Sequence, residues 1–88
     1  MATMQVDIVV PDREVFSGEA SEVYARSQEG EIGILPGHQP VLLALEAPSQ
    51  VRVKGGAGGE QGWTVSGGFL QFRENRLTVL ADGLEEDG

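Results

Sequence analysis

Glycine and proline residues interrupt this chain at short intervals, and their spacing strongly limits the folds that are open to it. The 88 residues include 13 glycines and 4 prolines, which are scattered rather than gathered in one linker. Between them lie short segments rich in Val, Ile, Leu and Phe. Short apolar segments separated by turn residues are typical of an all-β sandwich or barrel. The sequence shows no apolar stripe at the three- and four-residue spacing of an amphipathic helix.

Several of these segments alternate apolar and polar positions, as half-buried strands do. MQVDIVV and QVRVK alternate in this way, and GGFLQF and RLTVLA flank Arg73-Glu74-Asn75, which predicts a hairpin turn. VLLAL is continuously apolar and predicts a strand through the middle of the core, with Leu43 buried. We therefore expect one all-β domain, a sandwich of about 8–10 short strands over residues 1–83. The acidic residues 84–88 are expected to form a flexible tail.

The charge of the chain excludes several kinds of partner. Fourteen acidic residues against six basic ones give a net charge of −8. Phosphate binding requires clustered Lys and Arg, so nucleic acid is excluded as a partner, and adsorption to an anionic bilayer is disfavoured for the same reason. The longest aliphatic run, residues 41–45, is far shorter than the ~20 residues of a spanning helix. We expect no direct membrane insertion, a cytosolic location, and a partner that carries a basic patch.

No catalytic or metal site is predicted from the residue types present. The chain contains no cysteine, which excludes disulfides, thiolate metal sites and a cysteine nucleophile. His38 is the only histidine, and it lacks both a nucleophile motif to activate and further metal ligands nearby in sequence. The glycine run at 55–59 lacks the lysine that follows a phosphate loop, and it predicts a flexible hairpin loop. We expect no catalytic residue, cofactor or metal.

Lys54 leaves one alternative open. It is the only lysine, and it precedes a glycine run in a small acidic β domain. Lipoyl and biotinyl carrier domains present a lysine in a tight turn between apolar strands. Here Val53 precedes the lysine where those domains carry an acid or methionine, which favours an ordinary exposed lysine. The alternative function is a small acidic β carrier or binding module that is modified at Lys54.

Three segments together resemble one protein family. GEIGILPGHQPVLLAL, VSGGFLQF and RLTVLAD are similar to segments of the epsilon subunit of F-type ATP synthases, which is called delta in mitochondria. The opening MQVDIVVPDREVFSGEASEVYA fits the same family. The resemblance runs from Met4 to about Gly83 in unbroken order. Its specificity rests on the combination of Gly33, Pro36-Gly37-His38, Pro40, Gly67-Gly68 and the closing VLAD.

The resemblance implies a flattened β-sandwich and a non-catalytic role. Such a domain lies at the foot of the central stalk, contacts the gamma subunit and the polar loops of the c-ring, and couples ion-driven rotation to ATP synthesis. It implies a monomer within the complex, peripheral at the cytoplasmic face of the bacterial plasma membrane. Members of the family usually continue into two C-terminal helices. This chain stops at Gly88, so we expect no regulatory hairpin and no ATP binding.

The resemblance also implies which residues meet the partners. Glu31 corresponds to an acid that the family presents to the c-ring, and His38 and Gln39 belong to the adjoining corner. The two prolines of this corner fix φ, and its glycine permits a conformation that other residues resist. We expect a rigid corner that serves docking rather than bond chemistry. Its apolar neighbours are expected to point into the core: Ile34, Leu35, Val41 and Leu43.

Overall fold

The computed structural model describes residues 2–56 and 59–85, in which ten strands and no helix are found. None of this described part could therefore cross a membrane as a helix. The strands are β1 Met4–Val10, β2 Arg13–Ala20, β3 Glu22–Ser27, β4 Gly30–Ile34, β5 Val41–Leu45, β6 Ser49–Gly56, β7 Gly59–Val65, β8 Gly68–Arg73, β9 Arg76–Ala81 and β10 Leu84–Glu85.

Hydrogen bonding is continuous through the strands in the order β10-β7-β6-β3-β5-β8-β9-β1-β2. The tenth strand, β4, pairs with the edge of β3 that faces away from β6. The sheet curls on itself, and we call β4-β3-β6-β7-β10 the first sheet and β5-β8-β9-β1-β2 the second sheet. The two are joined where Ser27 pairs with Leu45. Most neighbours are antiparallel, whereas β1 and β9 are parallel. The predicted all-β sandwich is confirmed, with a strand number inside the expected range.

The core lies between the two sheets and draws on alternate residues of nearly every strand. β1 shows the pattern most clearly, because every second residue from Met4 to Val10 is buried. Alternation of this kind gives one face to the core and the other to solvent. The buried apolar residues are Met4, Val6, Ile8, Val10, Ala20, Val23, Ala25, Ile34, Leu45, Val51, Val53, Val65, Leu70, Phe72, Leu77, Val79 and Ala81.

The continuous apolar run of β5 does not pass through the middle of the core, so that prediction was wrong. Leu45 is fully buried, Leu43 is only half-buried, and Leu42 is 64% exposed. Leu42 points to the outer face, because successive strand residues alternate between faces. Leu43 shares the inner face with Leu45, but β5 meets β3 only at Leu45, which leaves Leu43 beside an open edge of β5. Leu35, also expected in the core, is 51% exposed because it begins the turn that follows β4. Ile34 is buried as expected.

Ordered structure extends slightly beyond the domain boundary that the sequence suggested at residue 83. Leu84 and Glu85 form β10, which pairs with Val65 and Thr64 of β7. Leu84 is half-buried and packs against the core. The rest of the acidic tail, residues 86–88, lies outside the described residues, as do residues 57–58 of the glycine loop.

Candidate functional site

The corner after β4 is a type II turn. The His38 amide donates a hydrogen bond to the Leu35 carbonyl at 3.0 Å, which closes a four-residue turn. Pro36 occupies the second position, where its fixed φ fits, and Gly37 occupies the third with φ +84°. A type II turn needs positive φ at that third position, which glycine adopts without steric cost. The Pro-Gly pair therefore accounts for the shape of the corner.

Asn75 holds this corner from the hairpin turn between β8 and β9. Its Oδ1 accepts a hydrogen bond from the Gly37 amide at 3.1 Å, and its Nδ2 donates to the Thr3 carbonyl at 2.9 Å. Its own carbonyl accepts from the Gln5 amide at 3.2 Å. Glu74 and Asn75 both have positive φ, 52° and 58°, as a type I′ turn requires. One side chain thus links three segments that are far apart in sequence.

We expect Asn75→Gly to loosen the corner and to lower stability by about 1–2 kcal/mol relative to Glu74→Gly, since two side-chain hydrogen bonds are lost. Glycine accepts positive φ, so the turn itself is preserved. Glu74→Gly is the matched control, because Glu74 has the same backbone geometry. Urea denaturation gives the stability, and hydrogen exchange of the Gly37 amide reports the corner. Equal exchange rates in the two variants would show that Asn75 does not hold it.

His38 and Gln39 lie together at the corner. His38 is half-buried, and its ring meets the Phe72 ring edge-on with centroids 6.0 Å apart. His38 Nδ1 is 2.7 Å from the Gln39 carbonyl oxygen, which can only accept, so Nδ1 carries the proton. Gln39 is exposed. The histidine is thereby oriented by its own turn and presents its other nitrogen, Nε2, as an acceptor.

Glu31 is not part of that cluster. It is exposed on the outer face of the first sheet, near the start of β4, directly opposite Arg26 of β3. His38 lies beyond the other end of the strand, and four residues of strand separate Glu31 from Leu35 by about 13 Å. The structure therefore places the predicted partner-binding residues on two surfaces: His38 and Gln39 at the corner, and Glu31 on the sheet.

The outer face of the second sheet carries a surface that sequence reasoning missed. Ala44 pairs with Phe69, Phe69 with Leu80, and Leu80 with Val9, so one apolar row crosses four strands. Leu42 extends the row along β5. We call these five residues the apolar patch; Phe69, Leu80 and Leu42 are 54%, 52% and 64% exposed. An exposed contiguous apolar surface marks an interaction site more often than scattered apolar residues do.

A signal for this patch is present in the sequence. VLLAL, GGFL and TVLA are apolar at consecutive positions, and thus on both faces of their strands. Such runs are typical of strands that are covered on both sides. In this chain the inner side is covered by the first sheet, and the outer side is exposed. The apolar outer face of β5 is therefore a candidate interaction surface, and the run does not mark a central position in the core.

The remaining candidates do not assemble into a chemical site. Among the residues the structure describes, no group of three or more His, Cys, Asp or Glu side chains could hold a metal ion. Lys54 is paired with Glu22 within the β3–β6 ladder, and its Nζ lies 5.2 Å from the centroid of the Tyr24 ring. A carrier domain presents its lysine at a hairpin tip. Lys54 instead lies inside a strand against an aromatic ring.

The strands, the corner and the turns define a small all-β sandwich domain. Residues 3–87 match the family described as ATP synthase, Delta/Epsilon chain, beta-sandwich domain. The chain belongs to this family, as the sequence resemblance predicted.

Curated relatives agree with this assignment. The ATP synthase epsilon chain of Streptomyces coelicolor is 45% identical over 84 residues, which are 96% of this chain and 67% of that protein. The epsilon chain of Brevibacillus brevis is 42% identical over 88 residues, covering 100% of this chain and 66% of that protein. The chain thus spans about two thirds of the length of these relatives.

Solved structures share the fold. A chain in the cryo-EM structure of the Euglena gracilis mitochondrial ATP synthase, OSCP/F1/c-ring, superposes with a TM-score of 0.85 at 20% identity, over 97% of this chain and 54% of that one. A chain in the Tetrahymena thermophila mitochondrial ATP synthase central stalk/c-ring structure gives a TM-score of 0.76 at 17% identity, over 97% and 67%.

Proposed function

We propose that this domain is a non-catalytic part of the rotor of an F-type ATP synthase, where it docks on the gamma subunit and the c-ring and couples ion-driven rotation to ATP synthesis. The observation that carries the proposal is the family match over nearly the whole chain, together with exposed surfaces suited to docking. A rotor subunit needs a rigid body and at least two contact surfaces, and the sandwich supplies both.

The apolar patch is the proposed contact with the gamma subunit. Its five residues lie on one sheet face, so a partner could cover them without any change in the domain. Interfaces that stay assembled have apolar centres with polar rims. Gln71, Thr78 and Asp7 supply a polar rim in the next row of the same sheet. Torque transmitted through a packed interface of this kind does not require a moving part within the domain.

The corner and Glu31 are the proposed contacts with the c-ring. Glu31 is exposed, and the domain carries net charge −8, which suits a basic partner loop. Charge pairs of this kind set orientation and association rate more than affinity. We propose that the domain is peripheral, on the cytoplasmic side of the membrane, and is held there through the complex. One copy is present per complex, and catalysis is left to other subunits.

Co-purification tests the proposal directly. The domain is mixed with tagged gamma subunit and, separately, with detergent-solubilised c-ring, and the captured chains are identified by mass spectrometry. We expect capture by both in stoichiometric amounts. Failure to bind either one would contradict the rotor assignment. A lipoyl or biotinyl adduct on Lys54 in protein from the native source would favour a carrier instead.

We expect Glu31→Lys to reduce proton-driven ATP synthesis in reconstituted vesicles several-fold, because a charge-assisted contact worth about 1.5–3 kcal/mol becomes a repulsion. The isolated domain should melt at an almost unchanged temperature, since Glu31 is exposed. Glu29→Lys is the matched control, an exposed carboxylate two residues away in the β3–β4 turn. Equal effects of the two variants would mean that general charge, rather than a Glu31 contact, matters.

A further inference from the structure

A groove on the outer face of the first sheet lies apart from the corner and from the apolar patch, and Glu31, a proposed c-ring contact, lies on its wall. It has a volume of about 400 Å³ and runs across β4, β3, β6 and β7. Its polar lining comes from Tyr24, Arg26, Glu31, Gln50, Arg52 and Thr64. Two of the six basic residues of the chain therefore line one groove of a protein that carries fourteen acids.

Two glycines open this groove. Tyr24 and Arg52 face each other across the β3–β6 ladder, yet they lean apart. The Tyr24 ring lies over Gly33 of β4, where an added Cβ would approach it to 2.8 Å. The Arg52 stem lies beside Gly62 of β7, where an added Cβ would be 3.5 Å from Cγ. Each glycine leaves room for a long neighbouring side chain to lean away from the centre of the groove.

The two guanidinium groups are available to a ligand. Among the described residues the salt bridge joins Arg76 to Asp7, and neither Arg26 nor Arg52 takes part in one. The Arg26 amide donates to Ser49 Oγ at 3.0 Å, which keeps β3 close to β6 at this point. Arg26 lies two residues beyond Tyr24, whose pairing with Arg52 is the last of the β3–β6 ladder, and both arginines line the groove.

Tyr24 makes a side-chain hydrogen bond along its own strand. Its hydroxyl donates to the Glu22 carboxylate. This bond, with desolvation and the negative charge of Glu22, raises the pKa of Tyr24 above its ordinary value, while the charge of Arg52 acts in the opposite direction. The phenol therefore stays neutral at physiological pH, and the Glu22 carboxylate is engaged by the Tyr24 hydroxyl.

From this arrangement we infer that the groove binds an acidic polypeptide segment of a partner, with a side-chain carboxylate bridging Arg26 and Arg52. Guanidinium groups bind carboxylates through paired, charge-assisted hydrogen bonds. Gln50 and Thr64 offer an amide and a hydroxyl to the backbone of such a segment. The Glu31 carboxylate on the groove wall penalises a dianionic phosphate more than a single carboxylate.

Titration of the full chain with hexaglutamate, followed by amide NMR at low ionic strength, tests the inference. We expect shifts confined to β3, β6 and the parts of β4 and β7 that line the groove. Arg26→Gln and Arg52→Gln should each weaken binding about tenfold, as expected for the loss of one charge-assisted contact. Arg13→Gln is the matched control, an exposed arginine on β2 in the other sheet, and it should leave the affinity within about twofold.

Two further results would overturn the inference. Equal weakening by Arg13→Gln would show that hexaglutamate responds to overall charge rather than to this groove. Inorganic phosphate that binds as tightly as hexaglutamate, with the same shifts, would indicate a small-anion site instead of a polypeptide site. Glu31→Gln should strengthen hexaglutamate binding about two- to threefold by removing a repulsive charge from the groove wall.

Discussion

Gly68→Ala should lower the free energy of unfolding by more than about 4 kcal/mol, a loss that few single substitutions cause. Gly68 begins β8 with φ +126°, and an added Cβ would lie 2.1 Å from the Leu80 carbonyl oxygen and 2.8 Å from the Ala81 Cα. Both atoms are backbone of the paired strand β9, so no side chain can rotate away. The β8–β9 pair would have to separate locally, and Leu70 in the core follows directly on this strand.

Gly30→Ala is the control that separates collision from backbone strain. Gly30 has φ +119°, close to the value for Gly68, but nothing lies within 4 Å of its added Cβ. Its replacement should cost about 1–3 kcal/mol, the range for a side chain forced into such a conformation. Urea denaturation of both variants gives the comparison. Equal losses would show that φ alone, and not the approach of β9, requires glycine at position 68.

The double variant Phe69→Ala/Leu80→Ala should weaken binding to the gamma subunit by at least about 100-fold, if the two side chains are central anchors of that interface. Anchors of this kind cost about 2 kcal/mol or more each when truncated. Both are about half exposed in the isolated domain, at 54% and 52%, so the fold should lose little. Binding is measured by calorimetry with purified gamma subunit, beside a thermal melt of each variant.

Leu35→Ala is the matched control for that experiment. Leu35 is 51% exposed, similar to Leu80, but it lies in the corner outside the apolar patch. It should leave the affinity for gamma within about threefold, because the residue is not expected in this interface. A loss as large as that of the double variant would place gamma at the corner. An unchanged affinity in the double variant would remove the apolar patch from the interface.

Turn chemistry is the part of this fold that short stretches of sequence reveal well. Pro36-Gly37 predicts a rigid corner, and a type II turn is found there. Arg73-Glu74-Asn75 predicts a hairpin turn, and the structure shows positive φ at its last two residues. The first prediction succeeds because proline and glycine act on their own φ angles. The second rests on polar residues between two apolar segments, among them asparagine, which tolerates positive φ.

Which residues of an apolar run are buried is harder to predict from the sequence. The run in β5 predicted a buried Leu43, yet Leu43 is only half-buried and Leu42 is exposed. Of the three leucines in β5, Leu45 alone is fully buried. Leu43 and Leu45 share the inner face of β5, so alternation does not distinguish them. Their difference follows from tertiary pairing, because β5 meets β3 only at Leu45.

The all-β class, the main turns and the family are predictable from the amino-acid sequence, because they depend on local backbone preferences and on motifs in a fixed order. Contacts between distant segments are not predictable in this way and are known from the folded structure. The parallel pairing of β1 with β9 joins segments about seventy residues apart and builds the row that ends at Val9. Asn75 reaches Gly37 and Thr3 across separations of 38 and 72 residues. The β3–β6 ladder brings Arg26 and Arg52 to one groove, since long-range register, which no short stretch encodes, sets which residues of distant strands are neighbours.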